Sequence, residues 1–102
     1  MANENEITIS SDSLITTRPG IELQEEEDRW GILYNPGTDF SFGINPVSVF
    51  IWKQLKNPTA FSELVNRVKK NCIDVPGEVE DHVSLFIKQL LQKELVAVDN
   101  PQ

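Results

Sequence analysis

The stretch FSFGINPVSVFIW, from Phe40 to Trp52, changes its hydrophobic period halfway along. Its first half, residues 40–44, alternates apolar with small residues, and this alternation predicts a β-strand. Asn45 is a preferred N-cap residue, and Pro46 suits the first position of a helix, where no amide hydrogen is needed. The apolar residues that follow recur at helical spacing. A chain with this stretch must pass from a strand directly into a helix.

The predicted strand at residues 40–44 contains no charged residue and no proline. Proteins usually protect an exposed strand edge with one or the other, because unpaired backbone groups readily bind another strand. Three interpretations stay open at this point. The N-terminal tail covers the strand, the strand pairs with a second copy of the chain, or it docks an extended peptide.

Two further strands are predicted upstream, each by its own pattern. Ile21 and Leu23 alternate with polar residues, and residues 29–34 are rich in aromatic and β-branched side chains. The segments 18–20 (Arg-Pro-Gly) and 35–39 (Asn-Pro-Gly-Thr-Asp) are strong turn signals. Three short strands joined by short turns predict an antiparallel meander.

Three helices are predicted after the meander. The first is expected to be buried, because it is apolar over most of its circumference. Asn57-Pro58 ends it, and Thr59 is expected to cap the second helix. The third helix is predicted at residues 78–93, and residues 95–98 form a closing strand or an apolar tail. The core stripe of the third helix consists of Val79, Val83, Phe86, Ile87, Leu90 and Leu91.

The chain has 102 residues, a length that suits one compact domain. We expect a flexible N-terminal tail at residues 1–13, the ordered domain at residues 14–98 and a C-terminal tail at residues 99–102. A three-stranded antiparallel sheet followed by three helices is an α+β fold. Its order is typical of a winged helix-turn-helix-like arrangement.

The net charge of −7 at pH 7 argues against nucleic acid and anionic membranes as partners. In winged-helix proteins the third helix often enters the DNA major groove by its N-terminal end. Here that end carries Glu78, Glu80 and Asp81, which repel phosphate. No apolar run is long enough to span a bilayer, and the first residues lack a signal-peptide pattern, so a cytoplasmic location is expected.

Residues suited to catalysis or metal binding are sparse. His82 is the only histidine, and Cys72 is the only cysteine. We expect Cys72 to be a small, half-buried apolar residue, since nucleophile–base pairs and most zinc sites need a partner of one of these two types. We therefore expect no enzymatic activity, no metal and no cofactor.

Four segments together carry a family resemblance: RPGIELQEEEDRWGILYNPG, FSFGINPVSVFIWKQL, ELVNRV and VEDHVSLFIKQLLQKEL. In this order and spacing they resemble the PqqD family, whose members are peptide-recognition domains of ribosomal-peptide biosynthesis, also called RiPP recognition elements. The resemblance covers residues 14–98. NPVSVFIW and CIDVPGEVEDHV are most similar to the PqqD-like proteins of SynChlorMet cassettes, which accompany radical-SAM proteins. Two turns depart from the family pattern: Asn57-Pro58 stands where many relatives have Asp-Gly, and Glu94 stands where relatives often have glycine.

This resemblance implies a non-enzymatic adaptor. Members of the family bind the leader segment of a precursor peptide as an added strand beside their third strand, and the third helix completes the groove. The peptide-binding residues implied here are Asp39, Phe40, Ser41, Phe42, Gly43, Ile44, His82, Leu85, Phe86 and Gln89. The implied partners are the leader peptide and a radical-SAM modifying enzyme. A winged-helix DNA-binding regulator and a homodimeric scaffold that pairs through the same edge remain the alternatives, and the oligomeric state stays open.

Overall fold

The computed structural model of the chain describes residues 9–71 and 78–100. The elements in this part of the chain are β1 (Leu14–Thr17), β2 (Glu22–Glu25), β3 (Gly31–Asn35), β4 (Phe40–Ile44), α1 (Pro46–Gln54), β5 (Thr59–Ala60), α2 (Phe61–Asn71), α3 (Val79–Gln92) and β6 (Val96–Asp99). The predicted α+β order, an antiparallel meander followed by three helices, is confirmed. Cys72 lies outside the described residues.

The described strands form two three-stranded antiparallel sheets. One is the predicted meander, in the order β2-β3-β4, and the other has the order β5-β1-β6. In the second sheet Leu14 lies opposite Asp99, and Thr17 lies opposite Val96. The first and last strands are therefore paired, which joins the two ends of the fold.

The second sheet differs from what the sequence patterns predict, because β1 and β5 carry no pattern of their own. Thr59 lies in β5 opposite Ile15 of β1, and α2 begins only at Phe61. The Thr59 hydroxyl donates to the carbonyl oxygens of Gln54 at 3.1 Å and Asn57 at 2.9 Å. The prediction that Thr59 caps the second helix is wrong, since its hydroxyl turns back toward the end of α1.

Residues just before β1 also make defined contacts. The Ser13 side chain is fully buried and its hydroxyl donates to Asn100. The backbone oxygens of Ser11 and Ser13 accept from the amides of Ser62 at 3.1 Å and Phe61 at 2.9 Å. These contacts fix the start of α2 beside the first strand. The domain boundaries at residues 14 and 98 stay a prediction.

The switch from strand to helix at Asn45 is as predicted. The Asn45 side chain accepts from the Ser48 amide at 2.9 Å, and Pro46 occupies the start of α1. Val49 and Trp52, which widen the apolar stripe of this helix, are buried against the sheet and the other helices. The prediction that Trp52 belongs to the core is confirmed.

The hydrophobic core is shared by both sheets and all three helices. Its fully buried members include one residue each from β1, β3, the end of α1, α2 and α3. They are Ile15, Leu33, Leu55, Leu64 and Ile87. Within the described residues, no helix has the length and the hydropathy that crossing a membrane requires. The meander packs on this core through the face that carries Leu33 and Ile44, and β4 is the last strand in its order β2-β3-β4.

Candidate functional site

Strand β4 is an edge strand of the meander. It pairs with β3 on one side, from Phe40 opposite Asn35 to Ile44 opposite Gly31. None of the strands formed by residues 9–71 and 78–100 pairs with its other side. The free side carries no charge and no proline, so its backbone groups can accept a further strand.

The β2–β3 turn determines which amides of β4 face outward. The Glu26 amide donates to the Trp30 oxygen at 2.8 Å, and Arg29 has φ 72, the geometry of a three-residue hairpin loop. Hydrogen-bonded and non-hydrogen-bonded pairs alternate along an antiparallel ladder. The registers of β2, β3 and β4 then direct the backbone groups of Phe42 toward β3.

By the same alternation, the N–H and C=O groups of Ser41 and Gly43 point away from β3, into the free edge. Both side-chain positions are also open: Ser41 is exposed, and a Cβ added at Gly43 would meet nothing within 4 Å. Phe42 and Ile44, on the opposite face, lean on the core, and Phe40 is 37% exposed. The two outward backbone positions therefore alternate with apolar residues, Ser41 between Phe40 and Phe42, and Gly43 between Phe42 and Ile44.

Helix α3 presents an exposed stripe beside its buried one. His82, Leu85 and Gln89 are exposed, and Leu85, at 60%, is the most exposed large hydrophobic residue among those described. Phe86 is only 7% exposed and belongs to the core. Phe86 therefore packs beneath α3, and His82, Leu85 and Gln89 form an accessible stripe on the helix.

Lys93, at the end of α3, contacts the edge strand, and the sequence patterns do not indicate this contact. Its Nζ lies 4.9 Å from the centroid of the Phe42 ring and 5.6 Å from that of Phe40. At about 100° per residue, Lys93 projects within roughly 40° of His82 and Gln89. A helical projection extended by one turn beyond the predicted stripe would have placed Lys93 on that stripe, although not in contact with β4. Lys93 thus marks the place where the α3 stripe meets β4.

Asp39 shapes the turn that leads into β4. It has φ 61, a left-handed conformation that Asp tolerates better than most residues, and its carboxylate accepts from the Tyr34 hydroxyl at 2.9 Å. This hydrogen bond, with desolvation and the nearby Glu22 carboxylate, raises the pKa of the Tyr34 hydroxyl above its ordinary value of 10.0. The bond fixes the start of the edge strand.

The start of α3 does not favour a DNA-reading helix. Glu78, Glu80 and Asp81 are all exposed, and no ion pair among the described residues involves them. Across the described ranges, no group of three or more His, Cys, Asp or Glu side chains is placed to hold a metal ion. His82 is exposed beside Asp81 on the surface of α3.

Comparison with protein families matches residues 31–96 to the family described as Coenzyme PQQ synthesis protein D (PqqD). The chain belongs to the PqqD family. The match runs from the first residue of β3 to the first residue of β6, so it includes the edge strand and all three helices. The family placement made from the four sequence segments is confirmed.

Comparison with curated protein sequences gives no significant match. Among solved structures, this PqqD-family chain is similar to TbiB1 in complex with the TbiA(beta) leader peptide. The TM-score is 0.64 and the identity 24%, over 79% of this chain and 93% of that chain. The likeness confirms the fold. The placement among SynChlorMet cassette proteins and the ten binding residues stay predictions.

Proposed function

We propose that this chain is a non-enzymatic adaptor that binds the leader segment of a ribosomally made precursor peptide. The observation that carries the proposal is the free edge of β4, where Ser41 and Gly43 direct outward backbone groups that no strand in the described part of the chain pairs with. Membership of the PqqD family and the fold shared with a leader-bound protein support the same function.

In this proposal the leader adds a fourth strand to the meander. Its main chain exchanges hydrogen bonds with Ser41 and Gly43, which supplies affinity that does not depend on sequence. Since side chains alternate along a strand, every second leader residue faces the same side as Phe42 and meets the α3 stripe around Leu85. Those contacts supply the selectivity.

The adaptor presents the rest of the precursor to a modifying enzyme. Holding the leader raises the effective concentration of the core peptide at that enzyme and needs no catalytic residue in this chain. The similarity of NPVSVFIW to the SynChlorMet PqqD-like proteins favours a radical-SAM enzyme as the partner. A precursor made on ribosomes and modified before export is present in the cytoplasm. We therefore propose a cytoplasmic location for this protein.

The test is an amide chemical-shift titration of the labelled full-length chain with the synthetic leader of a precursor encoded beside its gene. We expect the amides of residues 39–44 and 82–89 to move together and to saturate. Shifts confined to other residues would refute the β4 edge as the docking site. Movement of the β4 amides on dilution, with no peptide present, would support the homodimeric scaffold instead.

A further inference from the structure

Lys93 is held at the junction of α3 and β4 by two aromatic rings. Its ammonium lies within about 6 Å of both the Phe40 and Phe42 centroids, the range in which a ring face attracts a cation. Lys93 is the C-cap residue of α3, so its backbone is fixed by hydrogen bonds to Gln89 and Leu91. The charge is therefore placed beside the free edge.

This ammonium lacks a carboxylate partner within the part of the chain that the structure describes. The ion pairs there join Lys53 to Glu25 and Arg67 to Glu63. A lysine ammonium has three N–H donors, and ring faces satisfy them only in part. A carboxylate brought to the free edge of β4 would accept hydrogen bonds from the Lys93 ammonium.

The positive charge beside the free edge lies at the beginning of β4, where Lys93 lies over the rings of Phe40 and Phe42. The other end, Ile44, is in register with Gly31 and, one strand further, with Glu25, whose carboxylate is already paired with Lys53 at 2.9 Å. A negative side chain on a docked strand is thus favoured at the Phe40 end.

Resting on the proposed function, we propose that Lys93 selects leader peptides with an aspartate or glutamate at the position that docks beside Phe40 and Phe42. The acidic side chain pairs with the Lys93 ammonium above the two rings. The ligand is then an extended segment with an acidic residue at one fixed position near Phe40.

The experiment selects binders from a random-sequence peptide display library on the immobilised full-length chain and on two variants. Lys93→Met removes the charge and keeps an aliphatic stem over the rings. Lys88→Met is the matched control, because Lys88 is exposed on the same helix about 140° away. We expect peptides from the wild-type and Lys88→Met selections to share an acidic residue at one position, and those from Lys93→Met to lack it.

A peptide from the wild-type selection is then used in a double-mutant cycle with Lys93→Met. Replacing its shared acid by the matching amide should weaken binding about two- to fivefold to the wild-type chain and leave binding to Lys93→Met unchanged. Peptides with no shared acid, or a shared acid that persists with Lys93→Met, would overturn the role of Lys93 and leave the adaptor function standing. If the wild-type chain retains no peptide at all, both the adaptor function and the role of Lys93 are refuted.

Discussion

A Cβ added at Gly31 would lie 2.9 Å from Cγ2 of Val49, so the meander and α1 touch at a position that only glycine fits. Leu23 Cδ1 lies equally close, but it is the end of a flexible side chain, whereas Val49 is β-branched and buried. Gly31→Ala should therefore lower the free energy of unfolding by about 1–3 kcal/mol through overpacking. Urea denaturation measures the change.

Gly43→Ala is the control for this prediction. It adds the same methyl group to the same sheet, where nothing lies within 4 Å, so stability should change by less than about 0.5 kcal/mol. Equal losses of stability from the two substitutions would mean that the contact with Val49 does not determine the effect.

Tyr34 should titrate above its ordinary range, and it is the only tyrosine in the chain. The hydrogen bond to Asp39 favours the neutral phenol, so the folded state holds this proton to a higher pH than the unfolded state. The resulting stability is fully present below pH 10.0, the unfolded value, and is lost as the pH rises through the folded pKa. Tyrosinate absorbance follows the titration directly.

Asp39→Asn tests the origin of this shift. Asparagine also tolerates the left-handed backbone of Asp39 and keeps an acceptor oxygen, but it removes the charge. The pKa of Tyr34 should then move back toward 10.0. Coinciding titration curves for the wild type and the variant would exclude the charge of Asp39 as the cause.

Glu94 occupies a backbone position that suits glycine. It has φ 60 and follows α3, where the Leu95 amide donates to the Leu90 oxygen at 2.9 Å in a Schellman-type end. Glu94→Gly should stabilise the fold by about 1 kcal/mol in thermal or urea unfolding, because glycine adopts this conformation without strain. Glu94→Ala removes the charge but keeps Cβ, so a similar gain with alanine would point to charge instead.

Local patterns predict the meander and the helices because each is encoded in neighbouring residues. The alternation at residues 40–44, the Asn45 cap and the stripe of α3 all depend on short spacings. Strand β1 has no such pattern, and its partners β5 and β6 lie far along the chain. Its three β-branched residues at positions 15–17 favour a strand only weakly, and tertiary pairing decides the structure.

The candidate site, like the fold, could be predicted from the sequence only in part. The uncharged edge is visible in the sequence, but the outward direction of Ser41 and Gly43 depends on the hairpin register set by the β2–β3 turn. The position of Lys93 over Phe42 depends on how α3 packs against the sheet. Spacing along one element cannot give a contact between two.

Leu85→Asp should weaken leader binding without unfolding the protein. The side chain is 60% exposed, so its removal should change stability by less than about 0.5 kcal/mol. Binding should weaken by roughly 1–2 kcal/mol, since apolar contact is lost and a carboxylate must be desolvated. Calorimetric titration with leader peptide gives the affinity.

Trp30→Asp provides the matched control for Leu85→Asp. Trp30 is 49% exposed, and it precedes Gly31, so by strand alternation it lies on the face of the meander away from α1. The same charge placed there should leave the affinity unchanged. Equal losses from both substitutions would show that added negative charge in general, and not the α3 stripe, controls binding.

Ser41→Pro tests the docking edge itself. Proline deletes the outward N–H of Ser41 and leaves the β3-facing amides of Phe40 and Phe42 in place. Proline is tolerated on an edge strand when its N–H side faces solvent, and it restricts the preceding residue to the extended region that Phe40 already adopts. Leader affinity should fall by at least one hydrogen bond, about 1 kcal/mol or roughly fivefold, while Ser41→Ala, which keeps the N–H, should bind like the wild type. Urea denaturation confirms that the proline variant is folded. A folded Ser41→Pro protein that binds the leader at full affinity would place the docking site elsewhere, because a strand added at this edge cannot avoid that amide.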